Sequence, residues 1–304
     1  MEPPVSQDRR NFYDGGMPAR DDQPEVPPDH SADVVIVLDR RLHPQTGEEE
    51  FALMRRIAYD DRRFGQLLVP VRLDAFLSDL TSVPALFTWL VPKTGAHLPA
   101  ALLHDGLCFP DGDEPTFSAP EWQGDPITRA DADRVFRDAM ADTGTGVVRR
   151  WLVWAAVATA TMVLGHGTGW SRGRVWWHRA VVGGTVGLIA VLGVLATLDL
   201  LDVSWAPQLR WMGERGFLLE LFGGLAGAVV FPAVLALLWG EFRMAGWIIG
   251  IGLAVLLHVT VGLLLVTGAY WLVERTAARF PTLLLGVMAA VSIAALVLFL
   301  ALLL

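Results

Sequence analysis

The chain has 304 residues, a mean hydropathy of +0.43 and 53 % hydrophobic residues, more apolar than soluble proteins usually are. Its charge is split, because residues 1–150 carry 16 Lys+Arg and 26 Asp+Glu, a net of −10, whereas residues 151–304 carry 8 and 6, a net of +2. The acidic first half argues against nucleic-acid binding, which needs a basic surface against phosphate, and the single cysteine, Cys108, rules out an intramolecular disulfide.

Residues 1–32 contain Pro3, Pro4, Pro18, Pro24, Pro27 and Pro28 among many charges and no apolar stretch of the kind a signal peptidase follows, which predicts a disordered tail and a cytoplasmic location for what comes next. Residues 33–38 (DVVIVL), 50–57 (EFALMRRI) and 67–73 (LLVPVRL) read as strands from their β-branched and alternating content, with Pro70 marking an edge position or a strand start. Residues 99–107 read as a short buried helix. A second helix opens after Thr128, with Asp131 in capping-box spacing and Ile127 placed to staple onto Ala132. Small strands followed by helices define an α+β domain over residues 33–175.

Residues 176–304 read as an all-α transmembrane region of four helices. Spans at 180–198, 221–240, 245–273 and 280–304 lack any Asp, Glu, Lys or Arg and approach or exceed the roughly 20 residues needed to cross the hydrocarbon core. A fifth apolar run, 151–164, is shorter and is interrupted by Gly165, His166 and Gly167, so it is read as a buried helix outside the membrane. Arg172, Arg174, Trp176, Trp177, His178 and Arg179 precede the first span, a basic and aromatic cluster suited to the cytoplasmic interface. Glycines four apart, Gly183/Gly187, Gly223/Gly227 and Gly246/Gly250, favour close helix packing. His258 is the one ionisable group well inside a span and is read as a packing residue, so an anchor is preferred to a transporter.

Within the soluble half an ordered series of short motifs stands out: Tyr59-Asp60, Val69-Pro70, Ser78-Asp79-Leu80-Thr81-Ser82-Val83-Pro84, His104-Asp105, and Ala132-Asp133 with Phe136 and Met140. In order and spacing the series resembles the phage- and prophage-associated domain of unknown function 1353, over roughly residues 33–170. The resemblance implies a relationship among phage genes and no established reaction. This chain departs from the family pattern after His104-Asp105, where Gly106-Leu107-Cys108-Phe109 replaces an aromatic pair, and in its closing helix, which is unusually apolar and could lean on the membrane helices.

Two roles compete for the motif residues. In one, Asp79 and Ser82 satisfy backbone donors in a turn, and His104, Asp105 and Asp133 form a buried hydrogen-bond hub between two helices. In the other, Asp79, Ser82, His104, Asp105 and Asp133 are catalytic, with His104, Asp105 and Asp133 holding a divalent metal for hydrolysis. A serine nucleophile at Ser82 lacks the GxSxG setting. The preferred expectation is a membrane-tethered, phage-related accessory protein whose soluble domain binds or assembles with a protein partner at the cytoplasmic face; a membrane-anchored hydrolase is the alternative.

Overall fold

The computed structural model describes residues 11–19, 24–45, 47, 49–74, 76–80, 94–109, 113–213, 216–280, 286, 289–290 and 292–294. The contacts divide the chain into two units, Met1–Val255 and Leu256–Leu304. The first unit opens with six strands: β1 (Phe12–Asp14), β2 (Leu38–Leu42), β3 (Glu49–Leu53), β4 (Ile57–Asp61), β5 (Gly65–Val69) and β6 (Leu77–Ser78). They form two three-stranded antiparallel sheets, in the orders β1-β4-β5 and β2-β3-β6.

The described part of the N-terminal stretch is ordered, which corrects the expectation of a disordered tail over residues 1–32. β1 lines the edge of β4, with Tyr13 fully buried. Arginines just beyond β3 hold the strap down: Arg55 pairs with Asp14, and buried Arg56 donates to the carbonyl oxygens of Gly15, Met17 and Val26. Gly16 sits at φ +68°, and a Cβ there would meet the Val26 oxygen at 2.0 Å, so only glycine fits the strap. Proline and charge counts register the low apolar content of this stretch but miss side-chain-to-carbonyl bonds supplied from 40 residues away.

The expected strand at 50–57 is two strands, β3 and β4, separated by a turn through Met54 and Arg55 that moves the chain from one sheet to the other. The run 33–38 enters β2 only at Leu38, and β5 ends at Val69, just before Pro70. A hairpin turn, in which Asp61 accepts the backbone N–H groups of Arg63 and Phe64 at 2.9 and 3.0 Å, joins β4 to β5.

Three helices complete the domain. α1 (Leu98–Leu107) carries Pro99 in its first turn, where a missing N–H costs nothing. α2 (Arg129–Asp142) has the predicted capping box: the Thr128 hydroxyl accepts the Asp131 N–H, and the Asp131 carboxylate accepts the Thr128 N–H. α3 (Val147–Leu164) ends at Gly165 in the left-handed conformation, and Arg179 donates to its last carbonyl oxygens, those of Val163 and Leu164. α1 lies so close to β5 that a Cβ on Gly106 would sit 2.1 Å from a Val69 methyl.

Beyond α3 come α4 (Arg172–Leu200), α5 (Phe217–Ala236), a 3-10 turn (Leu237–Phe242) and α6 (Arg243–Arg279). Among the described residues three helical stretches are long and apolar enough to cross a membrane: Val147–Leu164, Arg172–Leu200 and Phe217–Leu257. The first is α3, which the sequence reading assigned to the soluble side; 33 % of it is buried in protein, against 11 % of an 18-residue apolar stretch within Phe217–Leu257. That last run, 41 residues long, is broken at Gly240 (φ 59°, ψ −119°). A Cβ on Gly250 would lie 2.8 Å from the Pro232 Cβ, a separation that a continuous helix would stretch to roughly 27 Å, so α5 and the start of α6 fold back against each other. The expected span at 280–304 lies largely outside the described residues, as does the side chain of His258.

Glycine spacing is used unevenly. Gly223 and Gly227 face Trp211, and Gly246 and Gly250 face Trp239 and Pro232, whereas among the described residues nothing lies within 4 Å of a Cβ on Gly183 or Gly187. One apolar core runs through the first unit, from Ile57 and Tyr59 on β4 through Leu102 and Phe136 to Trp154 and Met162 on α3. It continues into Val181 and Val182 on α4 and Trp239, Phe242 and Ala245. The closing helix of the domain therefore does lean on the helices that follow it.

Candidate functional site

α1 is buried nearly all round, so its polar residues must find partners inside the protein. His104 finds them on the next two helices. Its Nε2 lies 2.8 Å from Asp133 Oδ1, and the second carboxylate oxygen, Oδ2, accepts the Thr161 hydroxyl at 2.7 Å. All three side chains are buried, and the imidazole stacks on the Phe136 ring with centroids 4.7 Å apart. One carboxylate thus ties α1, α2 and α3 together. Cys108, one turn beyond His104, brings its sulfur to 3.5 Å from the same Nε2.

Burial alone would lower the affinity of the His104 ring for a second proton. The neighbouring Cys108 sulfur and the Asp133 carboxylate outweigh it and hold the ring well above its ordinary value.

Asp105 points elsewhere, because successive helical residues diverge by about 100°. It accepts the hydroxyl of Ser78 on β6, and that hydroxyl oxygen accepts the Leu80 N–H at 2.9 Å. Burial, reinforced by the charge of Asp79, pushes the Asp105 carboxyl above its usual range against the pull of Ser78, His104 and Arg129. The structure therefore joins His104 to Asp133 and joins Asp105 to Ser78, with Asp79 acting on Asp105 through its charge. Ser82, with Thr81, Val83 and Pro84, lies outside the described residues.

The remaining motif residues also bind within the domain. The Tyr59 hydroxyl donates to Asp142 at the end of α2 (2.8 Å), and Asp60 accepts the Tyr13 hydroxyl of the N-terminal strap (2.9 Å). Burial first, then the Asp142 carboxylate, raises the Tyr59 phenol far above its ordinary value. Arg134 of α2 pairs with Asp61 at 2.9 Å; burial would raise that carboxyl, but Arg134 and two backbone N–H groups hold it below the usual range.

His104, Asp105 and Asp133 do not converge as a ligand set. Among the described residues no group of three or more His, Cys, Asp or Glu side chains is placed to hold a metal ion. Thr161 was not singled out from sequence, although its signal was present: in the apolar run Trp154, Ala158 and Thr161 fall on one face at spacings of four and three, so one hydroxyl was bound to point inward. Cys108 was read as a lone cysteine and as part of a departure from the family pattern, yet its position four after His104 puts the two on one face.

Fold and site together define a small α+β domain, stitched by a buried His–Asp–Thr hub, that continues into helices of membrane-crossing length. Residues 51–157, from β3 into α3, match the family model described as Protein of unknown function (DUF1353). No curated protein and no solved structure matches the chain.

Proposed function

We propose that this chain is a membrane-tethered, phage-related accessory protein whose DUF1353 domain serves as a binding or assembly module at the cytoplasmic face. The observation that carries this reading is the mutual saturation of His104, Asp133 and Thr161 inside the core, which leaves the strongest motif residues committed to holding three helices. Four spans, at 180–198, 221–240, 245–273 and 280–304, carry the domain, and α3 belongs to the domain. The Arg174–Glu241 pair (2.7 Å) supports a cytoplasmic N-terminus, since it draws the reversal at Gly240, with Arg243 beside it, to the end of α4 that holds Arg172, Arg174 and Arg179.

A membrane-anchored hydrolase is the second reading, favoured by the Cys108 sulfur near His104. Its weakness is geometric: Cys108 and Asp133 address the same Nε2, whereas a triad carboxylate orients the base through its other nitrogen. Elemental analysis and thermal unfolding of the full chain in detergent, with and without chelator, separate the readings. The module reading expects no bound metal and an unchanged midpoint; about one ion per chain, with a midpoint that falls on chelation, would favour the metal-dependent hydrolase. Reporter fusions after Ile127 and after Leu304 test the topology, and both should read cytoplasmic.

A further inference from the structure

We propose that Arg172, Trp176, Trp177 and Arg179, at the start of α4, form a binding site for the headgroup of an anionic phospholipid; the proposal rests on the reading that α4 crosses the membrane. Arg172, Trp176 and Arg179 stand at i, i+4 and i+7, one above another on a single face of α4. The Arg179 guanidinium carbon lies 5.4 Å from the Trp176 ring centroid, and its Nε and Nη2 are fixed on the carbonyl oxygens of Val163 and Leu164, which leaves Nη1 for a ligand. Among the described residues Arg172 has no ion pair and neither tryptophan indole N–H has an acceptor, and Trp176 and Trp177 are 67 % and 55 % exposed. Glu241, the carboxylate beside the patch, is matched by Arg174, so the patch keeps a positive charge in a chain of net −8.

Depth along the helix fits a lipid occupant. Residues 172–179 rise roughly 10 Å and residues 180–200 roughly 30 Å, the first comparable to a headgroup layer and the second to the hydrocarbon core. Over the same change the outward face passes from Arg and Trp to Ala180, Gly183 and Gly187 and then to Val191 and Val194. Exposed Val163 and Leu164 border the arginines, which suits a phosphodiester attached to apolar chains better than a free phosphate. At the other end of the helix Asp199 in its last turn and Asp202 just after it place negative charge.

The test is lipid retention by the purified full chain, read by native mass spectrometry after exchange into detergent with equal phosphatidylglycerol and phosphatidylcholine. Wild type should keep phosphatidylglycerol in preference, and Arg172→Glu should lower its retention by about fivefold or more, the scale of one basic group at an anionic surface. Trp176→Leu, which keeps the apolar volume and removes the ring and its N–H, should weaken retention less. Equal retention of the two lipids, or wild-type retention by both variants, overturns the proposal. Displacement of phosphatidylglycerol by excess inorganic phosphate would also overturn it, by assigning the site to a soluble anion. Recovery of the chain in the soluble fraction of cells would instead overturn the membrane reading itself.

Discussion

In α1, α2 and α3 the polar side chains lie at the centre, where His104, Asp133 and Thr161 meet, and apolar residues surround them. In α4, α5 and the start of α6 an ion pair, Arg174 with Glu241, lies at one end, and the helices meet where glycine faces bulk: Gly246 on Trp239 and Gly250 on Pro232. A neutral bond joins α4 to this region, from the Trp239 indole N–H to the Thr185 hydroxyl at 3.1 Å. The first set of helices is specified by which donor meets which acceptor, the second by which surface fits which hollow. Removing a charge should therefore be costly in one set, and adding volume in the other.

The largest effect is expected at Asp133. Asp133→Ala strands an imidazole and a hydroxyl in a buried site and should destabilise the full chain by about 3–5 kcal/mol, whereas Asp133→Asn, which keeps the shape, should cost about 1–3 kcal/mol. Denaturant unfolding in detergent, followed by the tryptophans, reads both; equal losses would mean that shape and not charge governs the hub. A pH titration changes one partner only and should act less strongly. Because His104 is held above its ordinary value of 6.5, its contribution is complete below that pH and fades as pH rises through the folded-state value. The thermal midpoint should thus fall on the alkaline side in wild type and flatten in His104→Gln.

Among the apolar helices, Gly250→Leu drives a side chain into Pro232 and should cost about 1–3 kcal/mol. Gly187→Leu, facing open space, should stay within about 0.5 kcal/mol. Comparable losses at the two sites would show that an unseen neighbour covers Gly187. The smallest effect is expected at Thr128→Ala, which removes the α2 cap and should cost about 1 kcal/mol in the same unfolding assay.

How far the sequence carried these conclusions depended on the distance over which each signal acts. The capping box at Thr128 and Asp131 and the start of α1 around Pro99 are local, and both were legible. The β1 strap was not, because its stability comes from Arg55 and Arg56 far along the chain. The turn between β3 and β4 was hidden inside an unbroken β-like run, since no Gly or Pro marks it. At the site, the inward aim of Asp133 followed from helical periodicity, which also turned Asp105, half-buried in the structure, towards the protein. That His104 takes Asp133 while Asp105 takes Ser78 depends on how α2 and β6 flank α1, and periodicity is silent about neighbours.

The continuity of the apolar core has a consequence for how the protein is made. The DUF1353 match ends inside α3, yet the residues that cover the far side of α3 are Val181 and Val182 on α4, with Trp239, Phe242 and Ala245 in the same core. On a ribosome adding roughly 5–20 residues per second, several seconds separate the emergence of α3 from that of Ala245. During that interval the domain has all its family residues but an open flank. Its maturation is then timed by the arrival of the apolar hairpin, so a fault in forming that hairpin would first be felt as misfolding of the domain that precedes it.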